Sequence, residues 1–432
     1  MPPQQASVPT PADHARAVTE LLQPLRARLA DPAGAELRPL ETALGRVLAA
    51  DVTSPGAVPP FANSQMDGYA VRSAEVATAS VDAPVTLTIG ATSAAGDPIG
   101  EHLPGTAAPI MTGAPLPHGA DAVIPIEIAD PPRFIGIGSF GREIAGHDAN
   151  AGTTVAFSAP VDAGTFVRAV GADLAQGDAI LTAGTRLGPV QLGSLAAAGV
   201  AEVAVRPRPV VLLLSTGDEL RAPGEELAPG QIHDANTTSL TAALIEAGAT
   251  VIRASVPDAA SAVLDEIDRH PDIDLVLTAG GVSAGAFEVV RDALAGAGVS
   301  FGAIAMQPGG PQGLGTIAGA AGRRIPVVAF PGNPVSALLS FEMFLRPFLR
   351  ELAGRNPLRA AARAPLAQEI VSPRGKHQVR RGILRADGTV EVGAPGSHLL
   401  HDYARATVLA HIPIGVDALP KGAEVEIWRI DE

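Results

Sequence analysis

The sequence of 432 residues contains no cysteine. This absence excludes disulfides, thiolate zinc sites and a cysteine nucleophile within the chain, and it fits a reducing compartment. Aromatic residues make up only 3% of the sequence, so alanine, valine and leucine must fill most of the core. Basic residues are also few, since 31 Lys and Arg stand against 45 Asp and Glu and give a formal net charge of −14. Such an acidic chain argues against nucleic-acid binding as its main function.

The sequence shows neither an apolar segment of the signal-peptide type near its N-terminus nor a run of about 18 apolar residues that suits a membrane span. We therefore expect a cytoplasmic protein that does not insert into a membrane. Hydrophobic residues make up 47% and charged residues 18%, a composition typical of globular chains. The length predicts roughly two to four domains.

Helical periodicity and turn signals divide the first half of the chain. Apolar spacing predicts a helix over residues 14–29 and a second, short helix near residues 40–49. Between residues 69 and 157, alternating stretches such as VTLTIG and TTVAF, separated by Gly/Pro turns, predict a small β domain. The stiff string RPRP at residues 206–209 is expected to be a joint between domains.

Beyond this joint, apolar strands alternate with helical patterns. VVLLLST, TVIRASV, DLVLTAG and PVVAF are predicted strands, and the segments after them have helical spacing. This βαβα order predicts a three-layer α/β/α domain with a parallel sheet and right-handed crossovers. After about residue 356, short strands return and predict a C-terminal β domain.

Three of the predicted strands end in loops rich in glycine. VVLLLST runs into STGDEL at residues 215–220, DLVLT into AGGVSAG at residues 279–285, and PVVAF into PGNPVSA at residues 331–337. Because ligands of open α/β sheets bind at the carboxyl ends of the strands, these loops are expected to meet at one edge. Their backbone amides and the helix N-termini behind them favour a phosphate-bearing ligand. The alternative is that each glycine only forms a turn.

Carboxylates stand beside these amides, where they would repel a phosphate unless a cation bridges the two. Asp218, Glu219, Asp234 and Glu288 fall at or near strand ends. Mg²⁺ is the usual bridging cation, and Glu219 together with Glu288 favours a metal site. Helix capping by Asp218 and Glu219, and a cap and turn role for Asp234 and Asn236, are the alternatives.

Two stretches of the small β domain carry unusual mixtures of residues. PPFANSQMDGYAVRS contains Asp67, and IMTGAPLPHGADAVIPIE contains Thr112. Neither stretch reveals a chemistry by itself, because Met and Tyr around Asp-Gly also suit a packed turn.

Taken together, these motifs resemble the molybdopterin molybdotransferase family, that is, the MoeA-type proteins and the E domain of gephyrin. FANSQMDGYAV and MTGAPLPHGADAVIP are similar to the first and second signatures of the family. STGDEL, DANTTSL, GGVSAG and PGNPVSALLSFE follow in the family's order, and GSHLLHDYARA resembles its C-terminal signature. The resemblance covers about residues 14–430, almost the whole chain.

The resemblance implies a multidomain α/β plus β fold in an elongated subunit that forms a homodimer. Residues 11–56 and 161–206 would form an elongated helical/β linker and dimerisation domain, and residues 57–160 an inserted small β domain. Residues 207–352 would form the three-layer α/β/α domain of the molybdopterin-binding type. Residues 353–432 would form a C-terminal domain that resembles a β-barrel.

The function that the resemblance implies is a step of molybdenum cofactor biosynthesis. Members of the family are transferases that insert molybdate into adenylylated molybdopterin and release AMP, with Mg²⁺ as the metal. The expected partners are therefore these two substrates, a second copy of the chain and the molybdopterin adenylyltransferase. The active cleft is expected between the α/β domain and the small β domain of the other subunit.

The resemblance also implies roles for single residues. Asp67 and Thr112 would position molybdate or substrate, and Glu219 is a candidate catalytic residue. Glu219 and Glu288 would hold the metal directly or through water. The remaining candidates would bind substrate: Ser215, Thr216, Gly217, Asp234, Asn236, Gly280, Gly281, Ser283, Gly285, Pro331, Gly332, Asn333, Pro334, Ser336, Arg381 and Ser397.

Several positions depart from the pattern of the family. Ala286 and Glu288 stand in a turn that is usually rich in aspartate, and Gln307 and Gly310 replace two lysines. Ala172 interrupts a Gly-Glu-Asp stretch before the α/β domain. Near the C-terminus, where the family has asparagine, this chain has threonine at position 407. These departures motivate an alternative function, a catalytically weakened molybdopterin-binding or scaffolding paralogue.

A second interpretation is that another basic residue replaces the missing lysines. The run GKHQVRR offers Lys376, His377, Arg380 and Arg381 in an otherwise acidic protein. A solvated face of a β-hairpin is the other explanation of this run. A third hypothesis for the function is the adenylyltransferase reaction, because the α/β domain type is shared with those enzymes. The two signatures in the β domain favour molybdate insertion over adenylylation.

Overall fold

The structure, a computed structural model, describes residues 8–135, 153–282, 289–319 and 322–431. Among these residues, no helix combines the length and the apolar character needed to cross a membrane. The candidate residues Ser283, Gly285 and Glu288 lie outside the described residues, as does Ala286.

The elements of the first half of the chain are mostly short strands. They are α1 Pro11–Ala30, β1 Glu36–Pro39, β2 Val52–Thr53, β3 Asn63–Ser64, β4 Gly68–Val71, β5 Val85–Ile89, β6 Thr106–Ile110, β7 Ala122–Pro125, β8 Ala129–Asp130, β9 Thr154–Phe157, β10 Val167–Arg168, β11 Ala179–Leu181, α2 Pro189–Ala197 and β12 Glu202–Val205.

Helix α1 begins with a capping box, in which the Thr10 hydroxyl accepts from the backbone amide of Asp13 and the Asp13 carboxylate accepts from that of Thr10. Its buried side chains recur at helical spacing and join the same hydrophobic cluster as strand residues of the α/β domain. Arg28 also forms an ion pair with Asp274 of that domain. The helix therefore packs on the α/β domain, although the expected division groups residues 11–56 with the linker.

The short helix predicted near residues 40–49 is wrong. A 3₁₀ turn, Leu40–Thr42, stands there instead, followed by Gly45 with φ of +74°. Val47 and Leu48 form bridges to Arg186 and Val205, so backbone pairing replaces helical hydrogen bonds. The linker region is held by such pairs, β1 with β12 and β2 with β11, both antiparallel.

The small β domain contains a mixed sheet in the order β7-β4-β6-β5-β9-β8. The stretches VTLTIG and TTVAF form β5 and β9, as their alternation predicts. A Cβ atom on Gly68 would lie 2.1 Å from the carbonyl oxygen of Ile124, so only glycine fits after Asp67. The buried Tyr69 next to it donates a hydrogen bond from its hydroxyl to the carbonyl of Arg133, at 2.9 Å.

The middle of the chain supplies longer elements. They are β13 Val210–Thr216, β14 Leu220–Arg221, β15 Ile232–His233, α3 Ala235–Ala247, β16 Thr250–Val256, α4 Ala260–Asp268, β17 Leu275–Ala279, α5 Val289–Ala295, β18 Val299–Ala303, β19 Met306–Gln307, β20 Pro311–Ala318, β21 Arg324–Phe330, α6 Pro334–Ser340 and α7 Arg346–Leu352, with a π-helical segment Phe341–Leu345 between the last two.

The main sheet of this region has the order β16-β13-β17-β21-β20-β18. The first four strands pair in parallel, as the βαβα order predicts. The sheet is mixed, because at the other edge β20 pairs antiparallel with both β21 and β18. The glycines of β20 weakened its strand pattern, and both strands went unpredicted.

Side chains of β13 alternate between two hydrophobic clusters. Val211 and Leu213 contact the cluster that includes α3 and α6, whereas Leu212 and Leu214 contact the cluster of α4 and α5. The sheet is therefore buried on both faces, which explains why this strand is apolar throughout.

The C-terminal region forms a second mixed sheet. Its elements are β22 Ala361–Pro365, β23 Ile370–Val371, β24 His377–Leu384, β25 Val390–Val392, α8 Leu400–Ala404, β26 Val408–Ile412, β27 Ala418–Leu419 and β28 Glu424–Arg429. Strand β19 from the middle of the chain joins this sheet at its edge, in parallel with β24. This pairing fixes the C-terminal sheet against the carboxyl edge of the main sheet.

Candidate active site

A cleft of about 960 Å³ lies where the glycine-rich strand-end loops meet the C-terminal region. The structure brings most of the predicted substrate-binding residues into its wall: Thr216, Gly217, Glu219, Asp234, Asn236, Gly280, Gly281, Pro331, Gly332, Asn333, Pro334, Ser336 and Ser397. The three loops therefore meet at one edge, as the carboxyl ends of parallel strands require.

Glycine is needed where two of these loops approach each other. Gly280 and Gly281 have φ of +105° and +65°, a region that other residues rarely adopt. A Cβ on Gly332 would lie 3.3 Å from the Cα of Gly280. A Cβ on Gly281 would lie 2.8 Å from the side chain of Val290. Side chains at these positions would push the loops apart and cover the backbone that faces the cleft.

The start of α3 is tied to the third loop. Asp234 caps the helix, since its carboxylate accepts from the backbone amide and the hydroxyl of Thr237 at 2.9 and 2.5 Å. The amide nitrogen of Asn236 donates to the carbonyl of Gly332 at 2.6 Å. The side-chain oxygen of Asn236 is buried and has no partner among the described residues. Asp234 is thus a cap that also lines the cleft, and Asn236 has an acceptor to offer a ligand.

Glu219 carries an exposed carboxylate on the cleft wall that accepts no hydrogen bond within the described part of the chain. The carboxylate of Asp258, which also lines the cleft, accepts from the backbone amide of Asp218 at 3.4 Å, and the Asp218 carboxylate accepts from the amide of Asp258 at 3.5 Å. No group of three or more His, Asp and Glu side chains that could hold a metal ion exists among the described residues.

The cleft has a basic side chain that comes from the C-terminal region. Lys376 lines it, directly before β24, and the amide of the next residue, His377, donates to the carbonyl of Ala305 at 2.8 Å. Gln307 lies on the paired strand β19, and its side-chain oxygen accepts from Gln378 at 2.7 Å. Lys376 therefore stands beside the position where the family pattern has its first lysine.

The loop that carries Ser397 closes the same side of the cleft. The carbonyl of Ser397 accepts from the amide of Val335, in the first turn of α6, at 3.3 Å. Arg381 lies behind this loop rather than in the cleft wall, and it donates to the carbonyls of Ala394 and Gly396 at 2.9 and 3.0 Å. Burial lowers the pKa of Arg381, which is only 1% exposed. Its contacts position the loop.

Besides Arg381, three further predicted residues lie outside this cleft. Ser215 lines a neighbouring cavity of about 340 Å³, where its buried hydroxyl has no partner among the described residues. Asp67 and Thr112 meet each other in the small β domain, since the amide and the hydroxyl of Thr112 donate to the Asp67 carboxylate at 2.7 and 2.9 Å. Neither of these two residues lines the cleft of its own chain.

Other residues of the cleft were not among the predicted candidates. Asp258 follows β16, so the rule that sites lie at strand ends would have found it. His398 adjoins Ser397 in the C-terminal signature. Gln307 and Pro308 enter the cleft through the pairing of β19 with β24, a non-local contact that no short-range pattern reveals.

Comparison with protein-family models matches almost the whole chain. Residues 10–199 match the MoeA N-terminal region (domain I and II), residues 212–351 a probable molybdopterin binding domain, and residues 363–430 the MoeA C-terminal region (domain IV). The chain belongs to the MoeA family. The resemblance of its motifs to this family is thereby confirmed.

Members of the MoeA family with curated names are similar to this chain over nearly their full length. Molybdopterin molybdenumtransferase 2 of Mycobacterium tuberculosis is 41% identical and covers 97% of this chain and 98% of its own. Molybdopterin molybdenumtransferase of Synechococcus elongatus is 35% identical, with coverage of 92% and 94%. The chain is therefore assigned to the transferase class of enzymes.

A solved MoeA structure also matches the fold. The molybdopterin biosynthesis MoeA protein from Pyrococcus horikoshii superposes with a TM-score of 0.76 at 30% identity, covering 98% of this chain and 99% of that one. The match confirms the multidomain MoeA-type fold, with its mixed sheets and its molybdopterin-binding type of domain. The finer domain boundaries at residues 56, 160, 206 and 352 stay predictions.

Proposed function

We propose that this chain inserts molybdate into adenylylated molybdopterin and releases AMP. The observation that carries the proposal is the cleft in which three glycine-rich strand ends face Lys376 and Ser397. Its substrate is an anion with phosphate groups, and exposed glycine amides near helix N-termini bind such groups. The names of the relatives, molybdopterin molybdenumtransferases, support molybdate insertion as the reaction.

The residues of the cleft have separable tasks in this reaction. Backbone amides at Gly281 and Gly332 approach the phosphates, which the absence of side chains allows, whereas the amide of Gly280 donates to the carbonyl of Phe330 at 3.0 Å. Asn236 offers a donor of the substrate its side-chain oxygen, which has no partner among the described residues. Ligand exchange at molybdenum and cleavage of the phosphoanhydride need no covalent enzyme nucleophile. The chain contributes by holding two anions close together.

In our proposal, Lys376 supplies the positive charge that is missing at Gln307 and Gly310. Two facts support it: Lys376 lines the cleft, and the strand after it pairs with the strand of Gln307. Two of the other candidates, Arg380 and Arg381, are buried and donate to the carbonyls of residues 393, 394 and 396. The third, His377, has its Nε2 atom 3.0 Å from Nδ1 of His411. A lysine is a mobile point charge with three donors, which suits a substrate whose phosphates change position during reaction.

The described residues fit a Mg²⁺ ion of the kind that keeps several waters. Such an ion needs one or two carboxylates together with substrate phosphates, and the Glu219 carboxylate in the cleft accepts no hydrogen bond from the residues that the structure describes. Glu288, the second candidate ligand, lies outside the described residues. When bound, the ion would neutralise charge on the phosphoanhydride that is cleaved.

We also propose a cytoplasmic homodimer in which Asp67 and Thr112 of one subunit complete the cleft of the other. Their hydrogen-bonded pair is exposed and lies outside the cleft of its own chain, which supports this arrangement. Contact with the adenylyltransferase that supplies the substrate belongs to the same proposal.

The test is molybdate-dependent release of AMP. Purified protein is mixed with adenylylated molybdopterin, molybdate and Mg²⁺, and AMP is quantified by chromatography. We expect release that requires molybdate. Tight binding of the pterin without release of AMP would overturn the proposal. It would favour the alternative of a catalytically weakened or scaffolding paralogue, which the absence of lysines at positions 307 and 310 motivates.

Substitution of Lys376 tests the source of charge. We expect Lys376→Gln to lower kcat/KM for AMP release by roughly 10- to 100-fold, the value of one or two charge-assisted hydrogen bonds. Lys421→Gln, an exposed lysine in a turn outside the cleft, is the matched control and should change little. If Gln307→Lys raises activity strongly in the otherwise unchanged chain, Lys376 does not replace the missing lysine.

A further inference from the structure

A small pocket lined by arginines lies where the first part of the chain meets the α/β domain. Its volume is about 50 Å³. Four arginines line it: Arg46, Arg206, Arg208 and Arg355. Apart from these four, the described lining residues are glycine, alanine, proline and aliphatic side chains, with no acid among them. The pocket shares no lining residue with the cleft.

The charges of these arginines are only partly balanced. Arg46 is 8% exposed and donates to the Glu36 carboxylate at 2.9 Å and to the carbonyl of Arg206 at 2.8 Å. Glu36 also accepts from Arg38, an arginine outside the pocket. One carboxylate thus serves two arginines, and the pocket keeps an excess of positive charge in a chain with a net charge of −14.

Donors in the pocket are also without acceptors. The Nε atom of Arg206 is buried and has no partner among the described residues. Arg208 makes no side-chain hydrogen bond or ion pair with any residue that the structure describes. Arg355, in contrast, donates to the carbonyl of Glu246 at 2.6 Å. Partial burial, with Arg46 and Arg355 nearby, lowers the pKa of Arg208. A buried donor without an acceptor, such as the Nε atom of Arg206 among the described residues, destabilises a fold beside like charges unless an anion joins it.

We propose that this pocket binds one free tetrahedral oxyanion, such as phosphate or sulfate. Guanidinium groups bind such anions through two parallel hydrogen bonds, and four arginine residues line this pocket. The volume suits a group the size of a few water molecules rather than a whole nucleotide. The site goes beyond the proposed transferase reaction and does not depend on it.

The bound anion would connect three parts of the chain. Arg46 comes from the segment between β1 and β2, Arg206 and Arg208 from the RPRP joint, and Arg355 from the segment after α7. The remaining wall includes Gly248, directly after α3. An anion here would therefore stiffen the joint between the linker and the α/β domain.

The experiment is a calorimetric titration of the full chain with inorganic phosphate at low ionic strength, repeated with sulfate. We expect saturable binding of both anions, and Arg208→Gln should raise Kd about tenfold. Arg208 is exposed and unpaired within the described residues, so its substitution should leave the fold intact. Arg355→Gln is a second variant with the same expected direction.

Two matched controls separate this pocket from other anion sites. Arg385→Gln removes one exposed arginine that pairs with Glu391, far along the chain from the pocket, and should keep Kd within twofold. Lys376→Gln alters the cleft and should also leave this Kd unchanged. The inference is overturned if neither anion binds, or if Lys376→Gln weakens phosphate binding while Arg208→Gln and Arg355→Gln do not.

Discussion

His14 is a single residue whose ionisation is changed by burial. It lies on the buried face of α1, where its ring contacts Phe344 edge-on with 4.7 Å between centroids. Burial lowers the pKa of His14 from its ordinary 6.5 to about 4, and its Nε2 atom has no partner within the described residues. The unfolded chain therefore takes up a proton at higher pH than the folded chain does.

Acid should destabilise the fold through this residue. Above pH 6.5, His14 is neutral in both the folded and the unfolded chain, and the fold keeps its full stability. As the pH drops from 6.5 towards 4, only the unfolded chain takes up the proton, so the free energy of unfolding falls. At pH 5 the loss is about 2 kcal/mol. We expect His14→Leu to flatten the fall of the thermal midpoint between pH 7 and pH 4.5, relative to the natural chain. An equal fall in both proteins would contradict the assignment.

The residue types in the motifs indicated where the candidate site lies. They did not separate residues that line the cleft from residues that hold its loops in place. Arg381 was predicted to bind substrate, and the structure places it behind the loop of Ser397. Asp234 had two interpretations, and the structure shows both a cap and a place on the cleft wall. The sequence alone does not show which role an arginine or an aspartate in a motif has, because the burial and the hydrogen-bond partners of its side chain depend on the folded chain.

At the scale of elements, the N-terminus of α3 lets charge and capping be tested separately. Asp234→Asn keeps a good capping oxygen, whereas Asp234→Ala removes it and should cost about 1 kcal/mol of unfolding free energy. If the carboxylate charge serves the reaction, Asp234→Asn should lower AMP release while the urea midpoint stays nearly unchanged. Equal loss of stability in both variants would contradict the role of cap.

Long elements with clear periodicity could be predicted, and short or glycine-rich ones could not. The apolar β13 and the helix α1 follow from their spacing. Strand β20, PQGLGTIA, has three of its eight positions occupied by proline or glycine, so its strand pattern was too weak to recognise. The two-residue strand β19 forms only because β24 offers it a partner from far along the chain.

At the scale of the whole molecule, a buried ion cluster joins the α/β domain to the C-terminal sheet. Glu342, in the π-helical segment, accepts from Arg359 at 3.0 and 2.8 Å, and Arg346 lies 3.5 Å away. Glu342 and Arg359 have side chains that are 12% and 9% exposed. Burial lowers the pKa of Arg346 to about 10. Two buried cations therefore depend on one carboxylate.

Removing that carboxylate should be costly. We expect Glu342→Gln to lower the free energy of unfolding by about 3 kcal/mol, because two guanidinium groups lose their counter-charge in a buried place. Glu391→Gln breaks the exposed pair with Arg385 and should cost less than about 1 kcal/mol. Chemical denaturation of both variants measures the difference, and similar losses would contradict the importance of burial.

The hydrogen bond between Ser397 and Val335 has a consequence for how a newly made protein becomes competent. The ribosome completes every glycine loop of the cleft well before it reaches Lys376 and Ser397, which form the opposing wall. The cleft therefore lacks one wall until the last segment of the chain has emerged and docked on α6. Translation that stops early in that segment would yield a molecule whose glycine-rich loops face an open groove.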